Sequence, residues 1–320
     1  MYHYNKLNYK SKQIYNIILK ALQEHRSKIH IKERVDNHLN IKNIVTAINL
    51  DNPLLFYVDF RTFSMRLSST QTTLIFRYLH TEGQIENNIS VLRNTINKFE
   101  KVKRLCLIEK EITIHNALAK RIVYNNHPEK YDEYHTVVGA LIYKKAACDG
   151  YSKAFKVICD YCEIPCIVIT GKLKKENNQW ESHAWNMVKI NNAWHHVDLT
   201  CDVVMDFSKE IVLCDYFNIG DSEISRTHKW NTTYYPPGIT GAFEFRCQTD
   251  NYADIEKYII SRIQNNMHTL RLKFSSSTNK HNLDYLRLTS KILTKNNINI
   301  KNIEGCYNET LEFATVHVTM

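Results

Sequence analysis

The chain is 320 residues long, 43% apolar and 23% charged, with a formal net charge of +9 at pH 7. That length can bury a full core and suggests about two domains, and the balance excludes a wholly disordered chain. The charge accompanies a chain-wide leaning on Asn, Lys and Ile, and no basic run interleaved with aromatics occurs, so a nucleic-acid partner is not expected. No apolar stretch reaches the ~18 residues of a membrane span. The opening residues MYHYNKLNYKSKQ lack the apolar centre of a secretory signal. The nine cysteines are odd in number and scattered, as in a reduced, cytoplasmic protein rather than a disulfide framework.

In chain order, Ile14, Ile17, Ile18, Ala21 and Leu22 recur with helical spacing and predict an amphipathic helix. After Pro53 the run LLFYVDF predicts a strand. Ile85, Ile89, Leu92, Ile96 and Phe99 predict a second helix, and Val102 to about Leu118 a third. Ala154, Phe155, Ile158, Tyr161 and Cys162 place a helix over 150–162, stopped by Pro165. CIVITGKL then reads as a strand and KKENNQ as an exposed loop. Two strands, Ser182–Ile190 and Ala193–Thr200, flank Asn191–Asn192, a dipeptide suited to a two-residue hairpin turn. Beyond Pro236–Pro237–Gly238 a small α+β unit follows, with helices near 254–265 and 283–295 and strands TLRLKF and LEFATVHV.

The chemistry concentrates in Cys148, His183 and Asp198. A thiol at a helix start meets unpaired N–H groups and the positive end of the helix dipole, a setting that stabilises an anion. Gly150 is expected to let the backbone turn tightly there. In the hairpin, pairing Ile190 with Ala193 sets Trp185 opposite Asp198 and His183 opposite Thr200. His183 and Asp198 then share a face as diagonal neighbours, roughly 7–8 Å apart, whereas a one-residue slip would separate them. In the same register His195 points to the other face, and His196 shares the face but lies deeper, opposite Met187. Thiol, imidazole and carboxylate in this order fit nucleophilic catalysis. Backbone N–H groups near Cys148 are candidate oxyanion donors; Tyr131 and Tyr143 are guesses for a second.

Competing signals have plainer readings. Cys159 and Cys162 form a C-x-x-C, but they lie inside the predicted helix and read as core. His195 and His196 are neighbours on a strand and cannot readily share one ion. Trp180, Trp185 and Trp194 fit a substrate groove or a core wall equally well.

The segments ACDGYSKAF and ESHAWNMVKINNAWHHVDLTCDV resemble the core of the transglutaminase-like superfamily, its bacterial members especially. The shared pattern is a nucleophile followed by an acidic residue, Gly and Tyr, then HAWN, then W-x-x-V-D-x-T. The resemblance implies an α+β, papain-like fold in which a helix bearing Cys packs on an antiparallel sheet bearing His and Asp. It implies Cys148 as nucleophile, His183 as general base and acid, and Asp198 as the orienting carboxylate. The activity implied is acyl transfer or amide hydrolysis through a thioester, of protease, deamidase or transglutaminase type, on a protein or peptide substrate. The alternative is a catalytically retired binding or scaffold protein. More weakly, IYNIILKALQEH and AINLDNPLLFYVDF resemble the bacterial lead-in, and LCDYFNIGDSEISRTHKW places Tyr216, Phe217, Asp221 and His228 at matching positions. Cys201 departs from the pattern, standing where such sequences often carry tryptophan; Asp202 is retained. No metal and no cofactor is expected. The organisation expected is a lead-in over 1–100, a catalytic core over 101–240 and a C-terminal unit over 241–320.

Overall fold

The computed structural model describes residues 1–35, 38–125, 132–204, 212–239, 247–248, 251–265, 268–273 and 282–320. Helix α1 (Tyr2–Lys6) leads into α2 (Tyr9–Gln23), where the Asn8 side chain accepts the Ser11 N–H and caps the first turn. Ile14, Ile18, Ala21 and Leu22 face inward as the spacing predicts, while Ile17 stays exposed. Strand β1 (Lys28–Ile31) and helix α3 (His38–Asp51) follow, neither of them anticipated. The LLFYVDF run is turn as far as Tyr57; the strand it announces, β2 (Val58–Leu67), starts late and pairs with β3 (Thr72–Tyr78). Next comes α4 (Glu82–Asn97), closed at its start by a Thr81–Gln84 capping box. The predicted third helix is broken: a 3-10 turn over Glu100–Arg104 precedes α5 (Leu107–Ala119), which Cys106 caps.

Two short parallel strands, β4 (Val123–Tyr124) and β5 (Lys145–Ala146), deliver the chain to α6 (Cys148–Tyr161). Its buried face includes Tyr151, Ala154, Phe155, Ile158 and Cys159, so the C-x-x-C cysteine within the helix is core, and Cys162 at its end is buried too. Strands β6 (Cys166–Lys174), β7 (Trp180–Ile190) and β8 (Ala193–Val197) form an antiparallel meander. Helix α7 (Leu199–Val204), strand β9 (Phe217–Ile219), helix α8 (Asp221–Ile224) and strand β10 (His228–Lys229) complete this region, with sheet order β10-β6-β7-β8-β9. This helix-on-antiparallel-sheet arrangement is the α+β, papain-like class expected.

The hairpin register is the one the sequence dictates. Ile190 pairs with Ala193 and Asn186 with Val197. Asn191 and Asn192 both have positive φ, 49° and 65°, as a type I′ turn requires. The predicted second strand is too long, however. It stops at Val197 because the Asp198 carboxylate accepts the N–H groups of Thr200 and Cys201, which starts a helix instead.

The sheet separates two cores. Val188, Ile190 and Val197 join the large cluster that runs from Ile14 through α6, so the N-terminal helices share one interior with the central sheet. Ile167, Ile169, Trp185, Met187 and Ile219 line the other cluster with Cys201, Tyr216 and Tyr235. The C-terminal residues build their own core from β11 (Cys247–Gln248), α9 (Tyr252–Gln264), β12 (Thr269–Lys273), α10 (Asn282–Lys295), β13 (Asn302–Asn308) and β14 (Phe313–Thr319). Its sheet order is β11-β12-β14-β13. LEFATVHV thus contributes only the last of these strands, and β13 was not foreseen. Buried Asp215 ties the unit to the centre, accepting from Asn308 Nδ2 and Thr315 Oγ1 at 3.1 and 2.9 Å. Among the described residues no helix is long and apolar enough to cross a membrane.

At Gly171 close approach requires a glycine. A Cβ on Gly171 in β6 would meet the Lys229 carbonyl of β10 at 2.2 Å and the Trp185 ring at 2.7 Å. Replacing Gly171 with Ala is expected to push β10 and Trp185 outward and cost about 1–3 kcal/mol, as overpacking does. Urea unfolding of the two proteins measures it; equal midpoints would show that the strands yield freely.

Candidate active site

Cys148 is the first residue of α6, with Ala147 as N-cap, so the helix begins two residues earlier than the expected start at 150. Its own residue is only partly buried, whereas most other thiols are sealed in. The segment before it is pinned to the helix. Ala147 N–H donates to the Tyr134 carbonyl at 2.9 Å, and the Asp149 carboxylate accepts from His135 Nδ1 at 2.8 Å. Gly150 serves this approach and not a tight turn: a Cβ there would meet the Tyr134 carbonyl at 2.5 Å, and among the described residues no glycine has a positive φ.

His183 and Asp198 meet although the ladder between their strands has already ended. An ionised carboxylate only accepts, so His183 Nε2 carries the proton and donates to Asp198 Oδ2 at 2.6 Å. The same oxygen accepts a second imidazole, His228 Nε2, at 2.9 Å. The other oxygen, Oδ1, accepts the backbone N–H of Thr200 at 3.0 Å and of Cys201 at 3.1 Å. Burial alone would raise the Asp198 carboxyl, but the two imidazoles overcome it and hold the group well below 3.8.

Burial likewise opposes a charge on His183. The adjacent Asp198 charge and its hydrogen bond, helped by the nearby Cys148 and Cys201 thiols, outweigh it and lift the ring well above 6.5. With Nε2 committed to Asp198, Nδ1 is the nitrogen left for the Cys148 sulfur. The ring is stacked on Trp185, centroids 6.0 Å apart. Trp185 is a wall of the site, fully buried, and its Nε1–H donates to His196 Nδ1 at 3.0 Å. His196 must therefore present Nε2–H to Asp221 Oδ1, at 2.8 Å. It is neutral, lowered by burial, and stands outside the Cys148–His183 pair. His195 turns the other way, to the Ile239 carbonyl.

Two further residues position the site. Asn186, the last letter of HAWN, donates through Nδ2 to the Ser152 carbonyl at 3.0 Å and so locks β7 to α6 below the thiol. His228 had been noted only for its matching position; no spacing rule links it to Asp198 thirty residues earlier. Burial lowers His228, so the neutral ring donates from Nε2 while Nδ1 accepts from the Thr227 hydroxyl at 2.8 Å. Asp202 sits just behind, holding His115 Nε2 at 2.9 Å and the Tyr216 N–H at 2.9 Å. Cys201 occupies the tryptophan position as a buried thiol, pushed up by burial and the Asp198 charge. Of the guessed oxyanion donors, Tyr143 is exposed on a π-helical turn, and Tyr131 lies outside the described residues.

Residues 93–199, about a third of the chain, match the model of the transglutaminase-like superfamily. That segment is similar to a transglutaminase-like core, and Cys148, His183 and Asp198 all fall inside it. No curated protein matches. Among solved structures it is similar to one described as a TGase, at 14% identity and a TM-score of 0.34, over 57% of this chain and 52% of that one. It is also similar to one described as "a Putative Cysteine Protease from Cytophaga hutchinsonii", at 12% identity and a TM-score of 0.28, over 42% and 55% of the respective chains. The matches span about half the length of those structures.

Removing the charge from Asp198 tests this electrostatic account. In Asp198→Asn the burial that lowers His183 is no longer opposed, so the imidazole is expected to titrate below 6.5 instead of well above it. The His183 ring signals, followed by NMR against pH, report the direction. The variant is also expected to lose about 3–5 kcal/mol, the cost of breaking a buried charge pair.

Proposed function

We propose that the protein is a cysteine-dependent acyl-transfer enzyme that cleaves amides of protein or peptide substrates through a thioester on Cys148. The reading rests on one observation above all: a single imidazole, His183, is bonded to a buried carboxylate at 2.6 Å, and the nearby Cys148 thiol is among the groups that raise the ring. In the cycle, His183 Nδ1 takes the thiol proton as sulfur attacks the carbonyl carbon. The oxyanion develops beside the Cys148 N–H, which at the first helical position has no acceptor within the helix. The imidazolium then protonates the leaving nitrogen, the C–N bond breaks and a thioester remains. An acceptor gives its proton to His183, attacks the thioester and frees the thiol, which recovers its proton.

Asp198 fixes the His183 tautomer throughout, and its charge offsets the imidazolium that forms at each half-reaction. With water as acceptor the product is an acid, giving protease or deamidase activity; with an amine it is a new amide, as in cross-linking. Water is the acceptor we assign, because it needs no pocket of its own.

Alkylation separates an activated thiol from an accessible one. Cys106 is exposed and Cys148 only partly so. Iodoacetamide at near-neutral pH, followed by peptide mapping, is expected to modify Cys148 first in the folded protein. In His183→Ala that preference should vanish, and amide turnover should fall by roughly 10²–10⁴. Labelling that simply follows exposure, with Cys106 ahead of Cys148, would defeat the proposal.

A further inference from the structure

The acyl-transfer cycle leaves one thiol at the site unused. Cys201 lies beside Asp198 and His183, and together with His228 these residues present four donor atoms within 4.8 Å of one another. All four residues are buried. Two imidazoles, a thiol and a carboxylate are a zinc-type donor set. Tetrahedral Zn²⁺ with ordinary bond lengths needs its ligand atoms about 3.3–3.8 Å apart. The contacts of 2.6 and 2.9 Å at Asp198 and the 4.8 Å limit of the cluster bracket that spacing. The surroundings of such a site are in place too. Thr227 Oγ1 holds His228 Nδ1 at 2.8 Å, and two backbone N–H groups hold Asp198 Oδ1. None of the metal patterns considered in the sequence is involved: Cys159 and Cys162 are core, and His195 and His196 point apart.

We propose that His183, Asp198, Cys201 and His228 bind a divalent cation of the zinc type, and that occupancy turns off the Cys148–His183 pair. The second half rests on the acyl-transfer reading; the first does not. On binding, the Cys201 thiol proton passes to solvent, and each imidazole moves its proton from Nε2 to Nδ1 by exchange with solvent, so that the metal receives the Nε2 lone pair. The proton now on His228 Nδ1 donates to the Thr227 hydroxyl, a group able to accept as well as donate. The proton now on His183 Nδ1 leaves that ring with no lone pair to accept the proton of Cys148. Catalysis stops without any covalent change, and removing the metal restores it.

The test uses full-length protein freed of metal with a chelator and titrated with Co²⁺. Wild type is expected to bind one equivalent with a thiolate-to-cobalt charge-transfer band and the strong visible bands of tetrahedral cobalt. Cys201→Ser should lose the charge-transfer band. His228→Gln should bind more weakly, and Thr227→Val should lose about 10–100-fold in affinity. In parallel, Zn²⁺ should slow alkylation of Cys148 in wild type, reversibly with chelator, and have no such effect in Cys201→Ser. A charge-transfer band that survives in Cys201→Ser, or zinc protection of Cys148 that persists in it, would place the metal on another thiol and overturn the site. Sluggish alkylation of Cys148 with or without metal would instead sink the acyl-transfer reading, while the cobalt spectra still decide whether the metal site exists.

Discussion

A buried negative charge has to be satisfied, and the central region of this protein is arranged around doing so at Asp198. Left alone in the interior such a carboxylate would protonate or unfold its surroundings. Here two imidazoles share one oxygen and two backbone N–H groups share the other. The donors come from three elements, β7, β10 and the first turn of α7. Fixing the charge therefore fixes the relative placement of all three. The strand that should have run on through Thr200 is stopped for the same reason, since the carboxylate caps a helix at that point.

The rest of the site is built outward from that anchor. Gly171 has no side chain, so β10 and the Trp185 ring can close over β6, which brings His228 within reach of Asp198. Trp185 in turn supports the His183 ring and fixes the tautomer of His196, which hands its remaining proton to Asp221. On the helix side, Asn186 joins β7 to α6, and the segment over Tyr134–Thr136 presses against Gly150. Helix, sheet and carboxylate are thereby held in one geometry, with the Cys148 sulfur at the helix start and the imidazole beside it. In the proposed cycle a pair placed this way would need little rearrangement, which is the main physical requirement of acyl transfer.

Cys201 gives the same anchor a second character. A large indole at this place would fill space and offer no ligand towards the carboxylate. A thiol there adds a soft donor to two imidazoles and an oxygen. One cluster of residues can thus serve proton transfer when empty and hold a cation when loaded, and the two uses exclude each other because a metal on the Nε2 lone pair of His183 leaves the ring's proton on Nδ1, the atom that must accept the proton of Cys148.

Much of this was legible in the chain, for identifiable reasons. The Asn191–Asn192 turn fixes the hairpin register locally, because both residues tolerate positive φ; the side-chain period of two then assigns His183, His195 and His196 to their faces. The stripe from Ala154 to Cys162 fixes α6 and sets Cys148 near its start, although the start at Cys148 itself came two residues earlier than the stripe indicates. Other features were beyond local pattern. Strands β1, β3 and β13 lack strong periodic or turn signals, and only packing against neighbours selects them; helix α3, by contrast, carries Ile41, Ile44, Val45 and Ile48 at helical spacing, a signal present in the sequence. The end of β8, the arrival of His228 at Asp198 and the role of Gly171 depend on contacts between residues far apart in the chain. Local conformational preference set the elements and the order of the reactive groups; the need to neutralise a buried charge, which no single segment can meet, decided how they came together.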